Sequence, residues 1–181
     1  MEEVKDILDQ IFLNKEDILL HISKISNDII HKYQDDEEVI ILVLMDGALN
    51  FSNDLKKYLP SEKFKFEYFK ISSYKNCEFS GNFDVDKREI NLYNKEVLIL
   101  DDIYDTGNTL YFIINKLKND NFPPKNIKTC VLIERENNHQ KSINIDFLGK
   151  KINDDRFLIG YGLDFNDKYR DLDFIFFKKN N

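Results

Sequence analysis

Val97-Leu98-Ile99-Leu100-Asp101-Asp102-Ile103-Tyr104-Asp105-Thr106-Gly107-Asn108-Thr109 is the stretch on which the reading of this chain turns. Its first four residues are branched and apolar, which predicts a short strand buried on both faces. The strand runs into two adjacent carboxylates, then a turn, then a helix predicted over Thr109–Lys118. Adjacent acids at a strand end are costly unless something positive or hydroxylated binds them. A ribose diol bridged to Mg²⁺ meets that need. Thr106-Gly107-Asn108-Thr109 then offers successive backbone N–H groups, two hydroxyls and a helix dipole, a cradle for one phosphate monoester. Gly107 lets the backbone approach that phosphate closely. The two sites lie a few residues apart, about the span of a ribose 5-phosphate. A lone Asp-Asp would read as a solvated loop, and Thr106 as a plain helix cap. Asp105, Thr106, Gly107 and Thr109 in register behind the strand argue against that reading.

Elsewhere, strands and helices alternate. Ile18, Leu19, Ile22, Ile25, Ile29 and Ile30 fall on one face of a helix predicted over 15–34, with Asn14 as its N-cap. Val39–Met45 reads as a second buried strand, followed by a helix over Ala48–Leu59 that Pro60 stops. Residues 63–74 alternate as a strand and end in Ser72-Ser73-Tyr74; the polar stretch 75–90 reads as a long mobile loop. Pro123-Pro124 closes off the 109–118 helix, Thr129–Ile133 is a further strand, and Phe157–Ile159 and Phe174–Phe177 are later ones. This alternation predicts an α/β domain with a mainly parallel sheet covered on both faces, and ligands beyond the carboxyl ends of its strands.

The bulk properties agree. A chain of 181 residues without repeats or a Pro/Gly/Ser-rich linker suits a single domain. A formal charge of −7 with mixed signs argues against nucleic acid or an anionic membrane as partner. Cys77 and Cys130 fit neither a disulfide framework nor a metal motif and read as reduced thiols. No apolar run is long enough to span a bilayer, and Met1-Glu2-Glu3 lacks the chemistry of a secretory signal, so a cytoplasmic location is expected.

Four apolar residues, two acids, two variable residues and Asp-Thr-Gly-x-Thr together resemble the phosphoribosyl pyrophosphate motif of type I phosphoribosyltransferases. From about residue 10 to residue 178 the chain resembles the hypoxanthine(-guanine) branch. Leu44-Met45-Asp46-Gly47-Ala48 stands where that branch keeps its pyrophosphate loop. Ser72-Ser73-Tyr74, with Ser80-Gly81 downstream, matches the start of its mobile loop. Phe157 to Asn166, followed by Lys168-Tyr169-Arg170-Asp171-Leu172, resembles its C-terminal signature.

The resemblance implies a type I phosphoribosyltransferase fold: a mainly parallel twisted sheet flanked by helices, with a small hood of N- and C-terminal segments. In that reading 1–181 is a single domain, with a core of about 15–135 and a purine-binding hood from about 1–14 and 136–181. It further implies roles. Asp101 and Asp102 hold the ribose hydroxyls and the metal shell, and Asp105 takes or relays the proton at purine N7. Residues Asp105, Thr106, Gly107, Asn108 and Thr109 grip the 5-phosphate. Phe157 stacks on the purine while Leu158 reads its edge through the backbone. Asp46, Gly47 and Arg170 bind pyrophosphate, Asp164 reaches a second Mg²⁺, and Ser73 and Tyr74 belong to the mobile loop. The partners implied are phosphoribosyl pyrophosphate and a 6-oxopurine, and the assembly implied is a homodimer or homotetramer. Single residues have plainer alternatives: Phe157 as core, Asp164 capping a turn with Asn166, Arg170 paired with Asp171.

Two positions depart from the pattern. Asp46 stands where the pyrophosphate loop commonly carries Lys, Arg or Asn; it is expected to point away, leaving backbone N–H groups to bind. At Leu132-Ile133-Glu134-Arg135 a gapless match puts Arg135 at the family's purine-contacting Lys, which keeps the charge and the donors. A slip of one residue would put Glu134 there, an acceptor facing an acceptor; Arg135 is the expected contact. Two rival functions fit less well. An aspartate phosphotransferase wants Asp-x-Asp-x-Thr after the first strand, which this chain lacks. A non-catalytic regulator that binds phosphoribosyl pyrophosphate would keep 101–109 but has no need of a purine clamp or Arg170. His21, His31 and His139 receive no catalytic role.

Overall fold

The computed structural model describes residues 2–70, 91–121 and 123–179. In chain order the elements are α1 (Glu2–Ile7), β1 (Leu8–Leu13), α2 (Lys15–Lys32), β2 (Val39–Met45), α3 (Leu49–Leu55), β3 (Phe64–Lys70), β4 (Glu96–Tyr104), α4 (Asn108–Lys118), β5 (Asn126–Arg135), β6 (Phe147–Ile152), β7 (Leu158–Ile159) and β8 (Ile175–Lys178). The 71–90 stretch, with Ser73, Tyr74 and the expected mobile loop, lies outside the described residues.

Five strands form one parallel sheet in the order β3-β2-β4-β5-β6. Alternation along the central strands sends side chains to opposite faces. Ile41, Val43, Leu98, Leu100, Cys130 and Leu132 join Ile18, Ile22, Ile25 and Ile29 of α2 and Phe51 and Leu55 of α3. Ile40, Leu42, Leu44, Val97, Ile99 and Val131 meet Leu110 and Ile113 of α4 on the other face. Both faces are therefore covered, and the continuous apolar runs follow from that. A second sheet, β1-β8-β7, is antiparallel and joins the two ends of the chain, with Leu13 opposite Ile175 and Leu158 opposite Phe177. Among the described residues, no helix is long and apolar enough to cross a membrane.

Local chemistry accounts for the element limits. Asn14 caps α2, its side-chain oxygen accepting from the Asp17 N–H at 2.8 Å. The helix expected over Ala48–Leu59 stops at Leu55; beyond it the Lys57 and Tyr58 amides reach back three residues, to Asp54 and Leu55, in tighter turns. The strand expected over Val97–Leu100 continues through both acids to Tyr104, because β5 pairs with it as far as Glu134. β6 extends the parallel sheet past residue 135, where the sequence reading ends the core.

Candidate active site

Parallel register brings the carboxyl ends of four strands to one edge. Met45 lies opposite Lys70, and Tyr104 opposite Glu134, so β2, β3, β4 and β5 all finish there. At that edge opens a cavity of about 550 Å³. Its lining includes Asp46 and Gly47 after β2, Asp101 and Asp102 on β4, Asp105, Thr106, Gly107 and Thr109 at the turn into α4, and Arg170 from the C-terminal segment. Residues more than a hundred apart in sequence thus share one space.

Asp101 is nearly sealed from solvent and Asp102 half-buried. Burial first, and the neighbouring Asp102 carboxylate second, push Asp101 well above the usual carboxylate range. Burial also raises Asp102, opposed by its bond with Asp101, by the Ile103 N–H and by the charge of Arg170. The carboxylate pair is short of positive charge, and a hard cation is the chemistry that supplies it. Among the described residues no three His, Cys, Asp or Glu side chains converge as a ready-made metal site. A side chain on Gly47 would overlap the Asp102 carboxylate, and one on Gly162 would overlap the Gly47 carbonyl, so the two glycines let three segments meet. The peptide between Met45 and Asp46 is cis.

The Asp105–Thr109 turn is braced from outside itself. Gly107 sits at φ +81°, where a β-carbon would lie 2.6 Å from the Lys141 carbonyl oxygen. The Gln140 and Lys141 N–H groups donate to the Thr106 carbonyl at 2.9 and 3.0 Å, and Asn108 Nδ2 donates to Gln140 Oε1 at 3.0 Å. Tyr104 Oη donates to the Lys141 carbonyl at 2.8 Å. His139 stacks on the Tyr104 ring, 4.0 Å between centroids.

Asp105 and Arg135 are brought together, with Arg135 Nε 3.3 Å from Asp105 Oδ1. Asn138 Nδ2 donates to the same oxygen at 2.6 Å. Arg135 is 6% exposed; its Nη2 donates to the Arg156 carbonyl at 3.2 Å, and its Nη1 is buried without a partner. The guanidinium therefore links Asp105 to the segment that carries Phe157, which is 53% exposed, and the buried Leu158. Neither Phe157, Leu158 nor Arg135 lines the cavity itself. Glu134 points elsewhere, 3.5 Å from Lys151 Nζ. Asp164 and Arg170 face each other, Oδ1 to Nη2 at 2.8 Å, rather than Asn166 and Asp171; Asp164 Oδ2 accepts from the Asp167 N–H. Asp46 turns its carboxylate towards Lys70, 4.0 Å away.

Lys70, Asp167, Asn138 and His139 are neighbours of the site that sequence reasoning did not select. Each reaches it through tertiary contact, across register or a loop, and carries no local motif. Cys130 is buried and free, and Cys77 lies outside the described residues.

A parallel sheet whose strand ends bring a buried carboxylate pair, a Thr-Gly-Asn-Thr turn into a helix and an arginine around one cavity has the architecture of an α/β transferase site. Residues 9–166 match the phosphoribosyl transferase domain family, and the chain belongs to it. The chain is 33% identical to the hypoxanthine-guanine-xanthine phosphoribosyltransferase of Tritrichomonas foetus, over 92% of this chain and 90% of that one. It is 32% identical to the hypoxanthine-guanine phosphoribosyltransferase of Aquifex aeolicus, over 95% and 96% respectively. Its fold matches a crystal structure of hypoxanthine phosphoribosyltransferase from Staphylococcus aureus with a TM-score of 0.87, at 27% identity, covering 98% of this chain and 95% of that one. Within the family, its place is the hypoxanthine(-guanine) phosphoribosyltransferase branch.

Proposed function

We propose that this protein transfers the 5-phosphoribosyl group of phosphoribosyl pyrophosphate to N9 of hypoxanthine, guanine or both, releasing pyrophosphate and yielding IMP or GMP. The observation that carries the reading is the meeting of Asp101, Asp102, the Asp105–Thr109 turn and Arg170 around one cavity. In the reaction the anomeric C–O bond to pyrophosphate breaks, and a C–N bond to purine N9 forms. The transition state carries positive charge on the ribose and negative charge on the leaving group.

Asp101 and Asp102 bind the ribose hydroxyls and offset the ribose charge. The N–H groups and hydroxyls of Thr106 to Thr109 fix the 5-phosphate at the start of α4. Asp105 receives the proton from purine N7, and Arg135 Nη1 donates to the 6-oxo oxygen. Phe157 covers the purine face, and the Leu158 backbone reads its edge. Gly47 and Arg170 take the pyrophosphate. Asp101 and Asp102, with Asp164 on the pyrophosphate side, would hold Mg²⁺, which would supply charge neutralisation to the donor's oxygens. Ser73 and Tyr74, with the polar stretch 75–90 that follows them, are assigned to covering the site. The setting is cytoplasmic, and the assembly a homodimer or homotetramer. The test is pyrophosphate release on mixing donor and purine, with and without excess chelator: release that needs the metal is the result expected, and full turnover in chelator refutes the metal's role.

A further inference from the structure

We propose that Lys70, at the end of β3, binds the pyrophosphate end of the donor, exchanging its loose contact with Asp46 for phosphate oxygens. This inference rests on the function proposed above.

The charges around the cavity motivate it. Asp46, Asp101, Asp102, Asp105 and Asp167 line it, against only Lys70 and Arg170 as cations among the described residues. A donor with a phosphate and a pyrophosphate group brings several more negative charges, so cations are the scarce component of this site. Arg170 is already engaged, with Nη1 donating to the Gly162 carbonyl at 2.6 Å and Nη2 facing Asp164 at 2.8 Å.

Lys70 is differently placed. Strand register sets it opposite Met45, beside the Asp46-Gly47 loop on which pyrophosphate binding is proposed. Its Nζ lies 4.0 Å from Asp46 Oδ2, with side chains 66% and 46% exposed. A solvated pair at that separation contributes little stability, so exchanging Asp46 for phosphate oxygens costs little. A lysine is also suited to a group that moves as it leaves, being a flexible point charge rather than a fixed fork. The arrangement answers the departure at position 46: the cation missing from the loop comes from the neighbouring strand.

A simpler role for Lys70 would be to cancel the charge of Asp46 without touching the ligand. A double-mutant cycle separates the two. Magnesium pyrophosphate binding is measured by calorimetry on the wild type, Lys70→Ala, Lys70→Arg, Asp46→Ala and the Asp46→Ala/Lys70→Ala double variant, with IMP binding alongside. Lys70→Ala is expected to weaken pyrophosphate about tenfold, the scale of one charge-assisted contact, in both the wild-type and the Asp46→Ala background. Lys70→Arg should recover most of it, and IMP, which carries no pyrophosphate, should bind all variants alike. If the Lys70→Ala loss vanishes once Asp46 is gone, or if IMP weakens in parallel, Lys70 is not a pyrophosphate ligand. Wild type that binds no pyrophosphate at all would instead overturn the function proposed above, and this inference with it.

Discussion

Arg135 and Glu134 are neighbours at the end of β5, yet they meet different chemistry. The 6-oxo group of a purine accepts hydrogen bonds, and an ionised Glu has no proton to give. Arg135 keeps Nη1 buried without a partner, while Glu134 is engaged with Lys151. Burying an unpaired donor is costly, and a ligand acceptor would relieve the cost. Arg135→Ala should therefore weaken hypoxanthine and guanine binding by about one to two orders of magnitude, the scale of a lost charged hydrogen bond, and weaken phosphoribosyl pyrophosphate far less. Glu134→Ala should have little effect. Equal purine affinity in wild type and Arg135→Ala would remove the assignment. Asp101 yields a second expectation, about stability. Its carboxyl is raised above 3.8 by burial and by Asp102, so the folded chain holds that proton more tightly than the unfolded one. Stability is then full below the unfolded value and falls as pH rises towards the folded one. Without metal, Asp101→Asn should melt higher than wild type at neutral pH by on the order of 1 kcal/mol, or ~2–4 °C at this chain length. The gain should shrink as the pH is lowered towards about 4. A lower melting temperature at neutral pH would contradict this. The identities of these residues were legible in sequence because they fall in short linear motifs; the pairing of Asp105 with Arg135 and Asn138 was not, since a loop closes it.

Among the elements, β2 was readable to its ends, because Val39–Met45 is uniformly apolar and buried on both faces. β1 and β6 were not read as strands. Each sits at the edge of its sheet, and Leu8–Leu13 and Phe147–Ile152 mix exposed and buried residues without clean alternation. The continuation of β4 through its acids was hidden for a related reason. Paired carboxylates look like the end of a strand, but pairing with β5 carries the strand on to Tyr104. The loop after β2 approaches the Asp102 carboxylate closely. A β-carbon at Gly47 would overlap the Asp102 carboxylate, the far end of a side chain that can move, so the fold should tolerate it. Gly47→Ala is expected to weaken phosphoribosyl pyrophosphate binding about tenfold or more, as loss of a charged contact would, while the melting temperature stays close to wild type. Collapse of the fold with no specific loss of donor binding would show that Gly47 acts on packing instead.

For the whole molecule, the two sheets divide the work. The parallel sheet places the Asp105–Thr109 turn and the carboxylate pair at one edge, and the small antiparallel sheet joins the chain ends, carrying Leu158 within it and Phe157 beside it. The class of fold was legible from the alternation of buried strands with amphipathic helices. The joining of Leu8–Leu13 to Ile175–Lys178 was not, because strand pairing across more than 160 residues leaves no local periodicity. The net charge of −7 fits the proposed binding of an anionic donor through local donors rather than through a global field. The central claim is that this assembly catalyses transfer and does not merely bind the donor. It is tested most directly by following pyrophosphate release from phosphoribosyl pyrophosphate in Mg²⁺ with hypoxanthine, guanine, xanthine and adenine supplied one at a time. Release is expected with hypoxanthine, guanine or both, matched mole for mole by nucleotide, and little with adenine, which lacks the 6-oxo acceptor for Arg135. Donor binding without release for any purine would contradict it and leave a non-catalytic sensor of the donor in its place.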